Sequence, residues 1–131
     1  MVIYLDSSAL VKLLFQEPES EALARWLSAR EDLPKVTSQI SVVEVVRVCL
    51  WLDTAVEPTA RSLLAGLDLV PLSATVVDSA THVGSASLRS LDAVQLATAL
   101  SVRADLEAVV AYDRRLLEAA ELERLPVASP A

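Results

Sequence analysis

Four acidic residues occupy places where an acid needs an explanation. Asp6 closes the apolar run Val2-Ile3-Tyr4-Leu5, and Asp113 follows Ala108-Val109-Val110-Ala111-Tyr112, so both mark a passage from strand into helix. Asp92 falls in the first turn of a helix beginning near Leu91, and Glu44 is embedded in Val42-Val43-Glu44-Val45-Val46. Acids at helix N-termini are favoured by capping and by the helix dipole, which accounts for Asp6, Asp92 and Asp113 one at a time. Glu44 is harder to dismiss, because burying an unpaired carboxylate is costly. Two partners are open to it. Arg47 at i+3 would make a surface pair worth about 0.3 kcal/mol, or a cation would be shared with the other acids. Hard cations such as Mg²⁺ or Mn²⁺ take carboxylate oxygens, and like charges gather only where a cation relieves their repulsion.

Other chemistries fit poorly. Cys49 is the only cysteine and His82 the only histidine in 131 residues, so disulfides and cysteine-based zinc clusters are excluded and histidine-assisted nucleophiles are improbable. Cys49, between Val48 and Leu50, reads as a small buried hydrophobe. An aspartyl-phosphate phosphatase would place a second Asp where Ser8 stands, and a receiver domain would need paired acids at the first strand. The net charge of −7 opposes binding to nucleic acid, although an acidic metal site contributes up to about −4 of it and bound cations would invert the local field. Despite a mean hydropathy of +0.46, no apolar run reaches the ~20 residues of a membrane span. No basic segment precedes the apolar N-terminus, so a cytoplasmic protein is expected.

The elements that must position the acids alternate. Val2 to Leu5 predicts a strand, and Asp6-Ser7-Ser8 the start of a helix. Pro18 is placed to open a second helix reaching about Arg30. Lys35 to Ser38 predicts a strand, followed by a mostly buried helix on which Ser41, Glu44 and Arg47 form a narrow polar stripe. After Pro58 a helix runs to Gly66 as C-cap, then a strand over Leu67 to Val70. Ser73 caps another helix, Gly84 to Ser87 is a loop, and Ser90 is the expected N-cap of a helix from Leu91 to Val102. Glu107 to Tyr112 predicts a buried strand, and Leu125 to Val127 a last edge strand. This alternation argues for an α/β fold of one domain, residues 1–131, around a mostly parallel sheet, whose ligands would sit at the carboxyl ends of its strands.

The segments Val2-Ile3-Tyr4-Leu5-Asp6-Ser7-Ser8-Ala9-Leu10-Val11-Lys12, Ile40-Ser41-Val42-Val43-Glu44, Leu91-Asp92-Ala93-Val94-Gln95-Leu96-Ala97-Thr98-Ala99 and Tyr112-Asp113-Arg114-Arg115-Leu116 closely resemble, in order and over nearly the whole chain, the motifs of PIN-domain proteins. The nearest group is the VapC-like toxins. The resemblance implies a three-layer α/β/α sandwich with a five-stranded sheet, cleavage of RNA, Mg²⁺ (or Mn²⁺) as cofactor, a homodimer or larger toxin–antitoxin assembly, and a small cognate antitoxin. It places the family's acids on Asp6, Glu44, Asp92 and Asp113. The chain departs from the pattern at Ala111, where many relatives carry Thr or Ser, and at Gln95, where many carry His. Asp113 thereby lacks the hydroxyl support that the family pattern would give it. Ser7 and Ser8 either contact a ligand or phosphate or cap the helix. Lys12, Arg47, Arg89, Arg114 and Arg115 are the nearest cations to the acids. Arg89 and Arg114 are open as RNA contacts, and Arg115 is read as solvated charge. A PIN-like fold kept as a protein-binding scaffold is the alternative function.

Overall fold

β-Branched and aliphatic runs make the strands. The computed structural model describes all 131 residues. Its strands are β1 (Val2–Leu5), β2 (Lys35–Ser38), β3 (Asp68–Val70), β4 (Leu106–Val110) and β5 (Val127–Ala128), all parallel, in the order β3-β2-β1-β4-β5. Period-two alternation sends successive residues of β1 to opposite faces. Ile3 and Leu5 enter a core with Leu10, Leu23 and Val45, whereas Tyr4 joins Leu96, Val109 and Leu116 on the other face.

The helices are α1 (Ser7–Leu14), α2 (Ser20–Ser28), α3 (Ile40–Leu52), α4 (Glu57–Ala65), α5 (Ala74–Ala80), α6 (Ser90–Ser101) and α7 (Arg114–Leu122), with 3-10 turns at Thr54–Val56 and Arg103–Asp105. Helices α1 to α4 supply one core and α6 and α7 the other, giving the three-layer α/β/α sandwich. Parallel strands buried on both faces need this double cover. No helix is long and apolar enough to cross a membrane.

The chain leaves β1 for β2 on one side, while β4 lies on the other, so the direction of winding reverses between β1 and β4. Such a reversal opens a crevice at the carboxyl ends of the two strands. The ladder runs one residue past β1, the Asp6 amide donating to the Val110 carbonyl at 3.0 Å. Asp6 is thus pinned to the rim of that crevice by the main chain.

Several expected boundaries shift. Pro18 lies in a turn rather than opening α2, because Ser20 Oγ accepts from the Glu17 amide at 2.9 Å and donates to the Phe15 carbonyl at 3.1 Å, closing the loop before the helix begins. α2 ends at Ser28, short of Arg30. Arg89, not Ser90, is the N-cap of α6, with no side-chain cap bond, so Ser90 is its first helical residue. β4 stops at Val110, and Ala111 and Tyr112 lie beyond it. Gly66 does end α4, but in the right-handed region at φ −86°. α3 is less buried than expected: Val43, Leu50, Leu52 and Trp51, the last 83% exposed, face outward. Cys49 is buried as anticipated.

After α7 the exposed Arg124 adopts φ 64°, the left-handed conformation in which a helix commonly ends and which glycine occupies without steric penalty. Arg124→Gly is therefore expected to raise stability by about 0.5–1 kcal/mol, measured as a higher midpoint in thermal unfolding. A lower midpoint would show that the arginine side chain contributes more than the backbone loses.

Candidate active site

Asp6 is the N-cap of α1. Its Oδ2 accepts from the Ser8 amide at 3.1 Å and the Ser8 hydroxyl at 2.6 Å. That hydroxyl accepts in turn from the Tyr112 amide at 3.0 Å, tying the start of α1 to the chain leaving β4. Ser8 thus orients Asp6, and both capping and ligand support are open to it. The other oxygen, Oδ1, is the one buried side-chain N or O atom with no hydrogen-bond partner. Asp6 is 2% exposed. Burial raises its pKa from an ordinary 3.8 to about 6, against the lowering by the Ser8 bonds, and the charges of Glu44 and Asp92 push it further up.

Glu44 does not pair with Arg47, which is exposed and free of any ion pair. The local explanation of this acid therefore fails, and its partner comes from α6: Gln95 Nε2 donates to Glu44 Oε1 at 2.8 Å. Gln95 is 1% exposed, and it also donates to Ser41 Oγ at 2.9 Å and accepts from the Tyr4 hydroxyl. Ser41 shares a 2.7 Å bond with Thr37 Oγ1, which lies 2.6 Å from the Leu5 carbonyl. This buried chain of hydrogen bonds joins β1, β2, α3 and α6 beneath the acids. Sequence reasoning noted Gln95 only as a departure from a pattern and missed its role as the brace of Glu44. The usable signal was its spacing, three residues after Asp92 on an otherwise apolar helix. Glu44 itself has a raised pKa, chiefly through burial, opposed by bonds from Gln95 and Ser7.

Asp92 lies in the first turn of α6, and its pKa is raised by burial and by Asp113, against the pull of Arg89 and Arg115. Asp113 caps α7, accepting from the Leu116 amide at 3.1 Å. All four acids line one cleft of about 650 Å³, together with Ser7, Ser8, Lys12 and Arg47. Arg89 and Arg114 lie outside it, in a neighbouring notch that Asp113 also lines. Lys12 is engaged by Glu19 at 2.9 Å and Glu17 at 3.7 Å, and lies 4.8 Å from the centre of the Tyr112 ring.

The donor set fits a hard divalent cation in composition: carboxylates only, one of them with a buried, unpartnered oxygen. No three of the acids form a ready-made chelating group. Mg²⁺ suits such an open set, because it keeps several waters and binds only one or two carboxylates directly.

The chain matches the PIN domain family over residues 3–122. It is 44% identical over 131 residues to Ribonuclease VapC35 of Mycobacterium tuberculosis (strain ATCC 25618 / H37Rv), across 98% of this chain and 97% of that one. To Ribonuclease VapC47 of Mycobacterium tuberculosis (strain CDC 1551 / Oshkosh) it is 42% identical over 132 residues, with the same coverage of each. Its fold is similar to VapBC2 from Rickettsia felis, solved bound to a promoter DNA fragment, with a TM-score of 0.75 at 12% identity over 100% of both chains. It is also similar to the sarcin-ricin loop cleaving toxin VapC20 of Mycobacterium tuberculosis, with a TM-score of 0.73 at 15% identity over 89% of this chain and 94% of that one.

Two outcomes follow from the site's electrostatics. The folded Asp6 carboxyl binds its proton more tightly than the unfolded one, so the folded state is favoured below about pH 4 and loses that advantage as pH rises to about 6. In EDTA near pH 8, Asp6→Asn is expected to be more stable than the parent by about 1–3 kcal/mol, the difference shrinking towards pH 4. Thermal melts across pH check this, and a variant destabilised throughout would refute it. Gln95→Ala strands the Tyr4 hydroxyl and removes the donor to Glu44, and a loss of about 2–4 kcal/mol is expected in denaturant titrations.

Proposed function

The chain belongs to the PIN-domain family, and from that premise we propose that it is a divalent-metal-dependent endoribonuclease. It acts as the toxin of a toxin–antitoxin pair, cleaving structured RNA such as tRNA or rRNA and so stopping translation in the cytoplasm. The observation that carries the reading is the convergence of Asp6, Glu44, Asp92 and Asp113, from four separate elements, on one cleft around the unpartnered Asp6 Oδ1. The names of its relatives, ribonucleases at 42% and 44% identity over almost the whole chain, support it.

Asp6, Glu44 and Asp92 would hold the ion, directly or through water, with Asp113 completing the site or binding a second ion. When bound, Mg²⁺ or Mn²⁺ supplies positive charge that makes a water more acidic and offsets charge gathering on the attacked phosphate. The protein's part is preorganisation. Ser8 fixes Asp6 through Oδ2 and leaves Oδ1 free, and Gln95 fixes Glu44, so neither carboxylate has to find its orientation as substrate enters. Water attacks in line, leaving a 5′-phosphate and a 3′-hydroxyl. Ser7, which bonds Glu44 and lines the cleft, would hydrogen-bond a phosphate oxygen.

A small antitoxin would inhibit by presenting an arginine to the acidic cleft, where its guanidinium pairs bidentately with carboxylates in competition with the metal. The outward apolar residues of α3, Val43, Leu50 and Trp51, support a homodimer, because such a patch is costly to leave in water.

Purified, partner-free protein is expected to cut total RNA or defined tRNAs at discrete positions with Mg²⁺ or Mn²⁺ and not with EDTA. Asp6→Asn and Asp92→Asn should lower the rate at least a hundredfold, an effect on the order of 3 kcal/mol in the barrier. Cleavage that persists in both variants would indicate a contaminant. Its absence with every metal and substrate would favour a protein-binding scaffold on the PIN fold.

A further inference from the structure

Cations are scarce in this chain, with eleven Lys and Arg against eighteen Asp and Glu. Lys12, Arg25 and Arg61 are spent on ion pairs, and Arg30, Lys35 and Arg103 donate to main-chain carbonyls. Arg47, Arg89, Arg114, Arg115 and Arg124 make neither kind of bond, and three of these five, Arg89, Arg114 and Arg115, line one notch of about 260 Å³ whose only other wall residue is Asp113. The nearby Asp92 and Asp113 favour positive charge here, but the helix ends oppose it. Arg114 and Arg115 begin α7 and Arg89 caps α6, so three positive side chains surround the positive ends of two helices. Exposed guanidinium groups gathered at helix N-termini, with no ion pair or hydrogen bond of their own, offer the forked donors and the backbone field that a phosphate takes up. Asp113 borders both cavities, so a ligand in the notch lies next to the carboxylate cleft.

We propose that Arg89, Arg114 and Arg115 form a phosphate subsite that grips the RNA backbone next to the scissile phosphate on one side only. The inference rests on the ribonuclease reading and adds a place and a direction to it. The strand leaves the acids past Asp113, between the N-termini of α6 and α7. The basic stretch is short: Arg115 also lines the cleft of about 610 Å³ beyond, but Glu118 and Glu123 stand on its wall. The subsite therefore serves one or two phosphates rather than a long groove. It also accounts for RNA binding by a chain of net charge −7, because the cations that matter are gathered at one spot and left unpaired.

The test is fluorescence anisotropy with labelled oligouridine in EDTA, titrated with salt, on the full chain. Arg89→Ala, Arg114→Ala and Arg115→Ala are expected each to weaken binding severalfold and to reduce the slope of log affinity against log salt by about one for every phosphate no longer neutralised. Arg→Lys at the same positions should restore the slope. Arg61→Ala and Arg124→Ala, on other surfaces, should leave both quantities unchanged. Equal losses at all five positions would mean a diffuse field and overturn the subsite, as would no loss at the three. If the parent protein neither binds nor cuts RNA, the ribonuclease reading itself fails. Parent-like RNA affinity in the three variants with loss of binding to a polyglutamate peptide would assign the notch to a protein ligand instead.

Discussion

A carboxylate held at 2% exposure, with one oxygen unpartnered, is unfavourable unless something repays the lost hydration. Asp6 is kept in that state by covalent and main-chain constraint. Its amide extends the β1–β4 ladder, its Oδ2 caps α1, and Ser8 ties the same corner to the chain leaving β4. None of these bonds can relax without disturbing the central strand. The sheet thereby imposes a buried carboxylate on the crevice, and Glu44, Asp92 and Asp113 line the same cleft, where their like charges raise one another's cost.

The buried polar chain beneath the acids answers the same constraint from the other side. A helix as apolar as α3 would carry Glu44 into a region with little water, and Arg47 makes no ion pair with it. Gln95 reaches across from α6 with an amide that donates to Glu44 and Ser41 while accepting from Tyr4. A neutral donor stabilises the carboxylate without cancelling its charge, so Glu44 stays available to a cation, which a salt bridge would prevent. Arg89, Arg114 and Arg115 are likewise kept beside the acids without neutralising them, in a neighbouring notch outside the cleft that the acids occupy.

Much of this was legible in advance because it is local. Four-residue apolar runs ending in Asp or Ser predict strand-to-helix passages whatever surrounds them, and Asp6 and Asp113 turned out to cap α1 and α7. The ordered motifs carried the family resemblance, and with it the sheet and its layers. Helix boundaries were less legible. Ser20 closing the loop after Phe15 displaced the start of α2 past Pro18, and an extended Arg89 displaced the cap of α6 by one residue, both decided by backbone geometry that composition does not encode. The outward face of α3 was misjudged because an apolar helix pattern cannot say which side meets the core.

By itself, the sequence determined which groups could do chemistry: four acids, one buried in a valine run, with no histidine or cysteine machinery to compete with them. Those are properties of residue type and near neighbours, where side-chain chemistry and period suffice. Only the tertiary structure decided that Gln95 braces Glu44 across 51 residues of chain, that Ser8 leaves one oxygen of Asp6 free, and that three arginines from two helices meet beside Asp113. Such pairings depend on strand order and on the angle at which helices cross the sheet. No local rule brings Gln95 to Glu44 or Arg89 to Arg114, since those residues lie far apart in the chain and meet only through the packing of helices on the sheet.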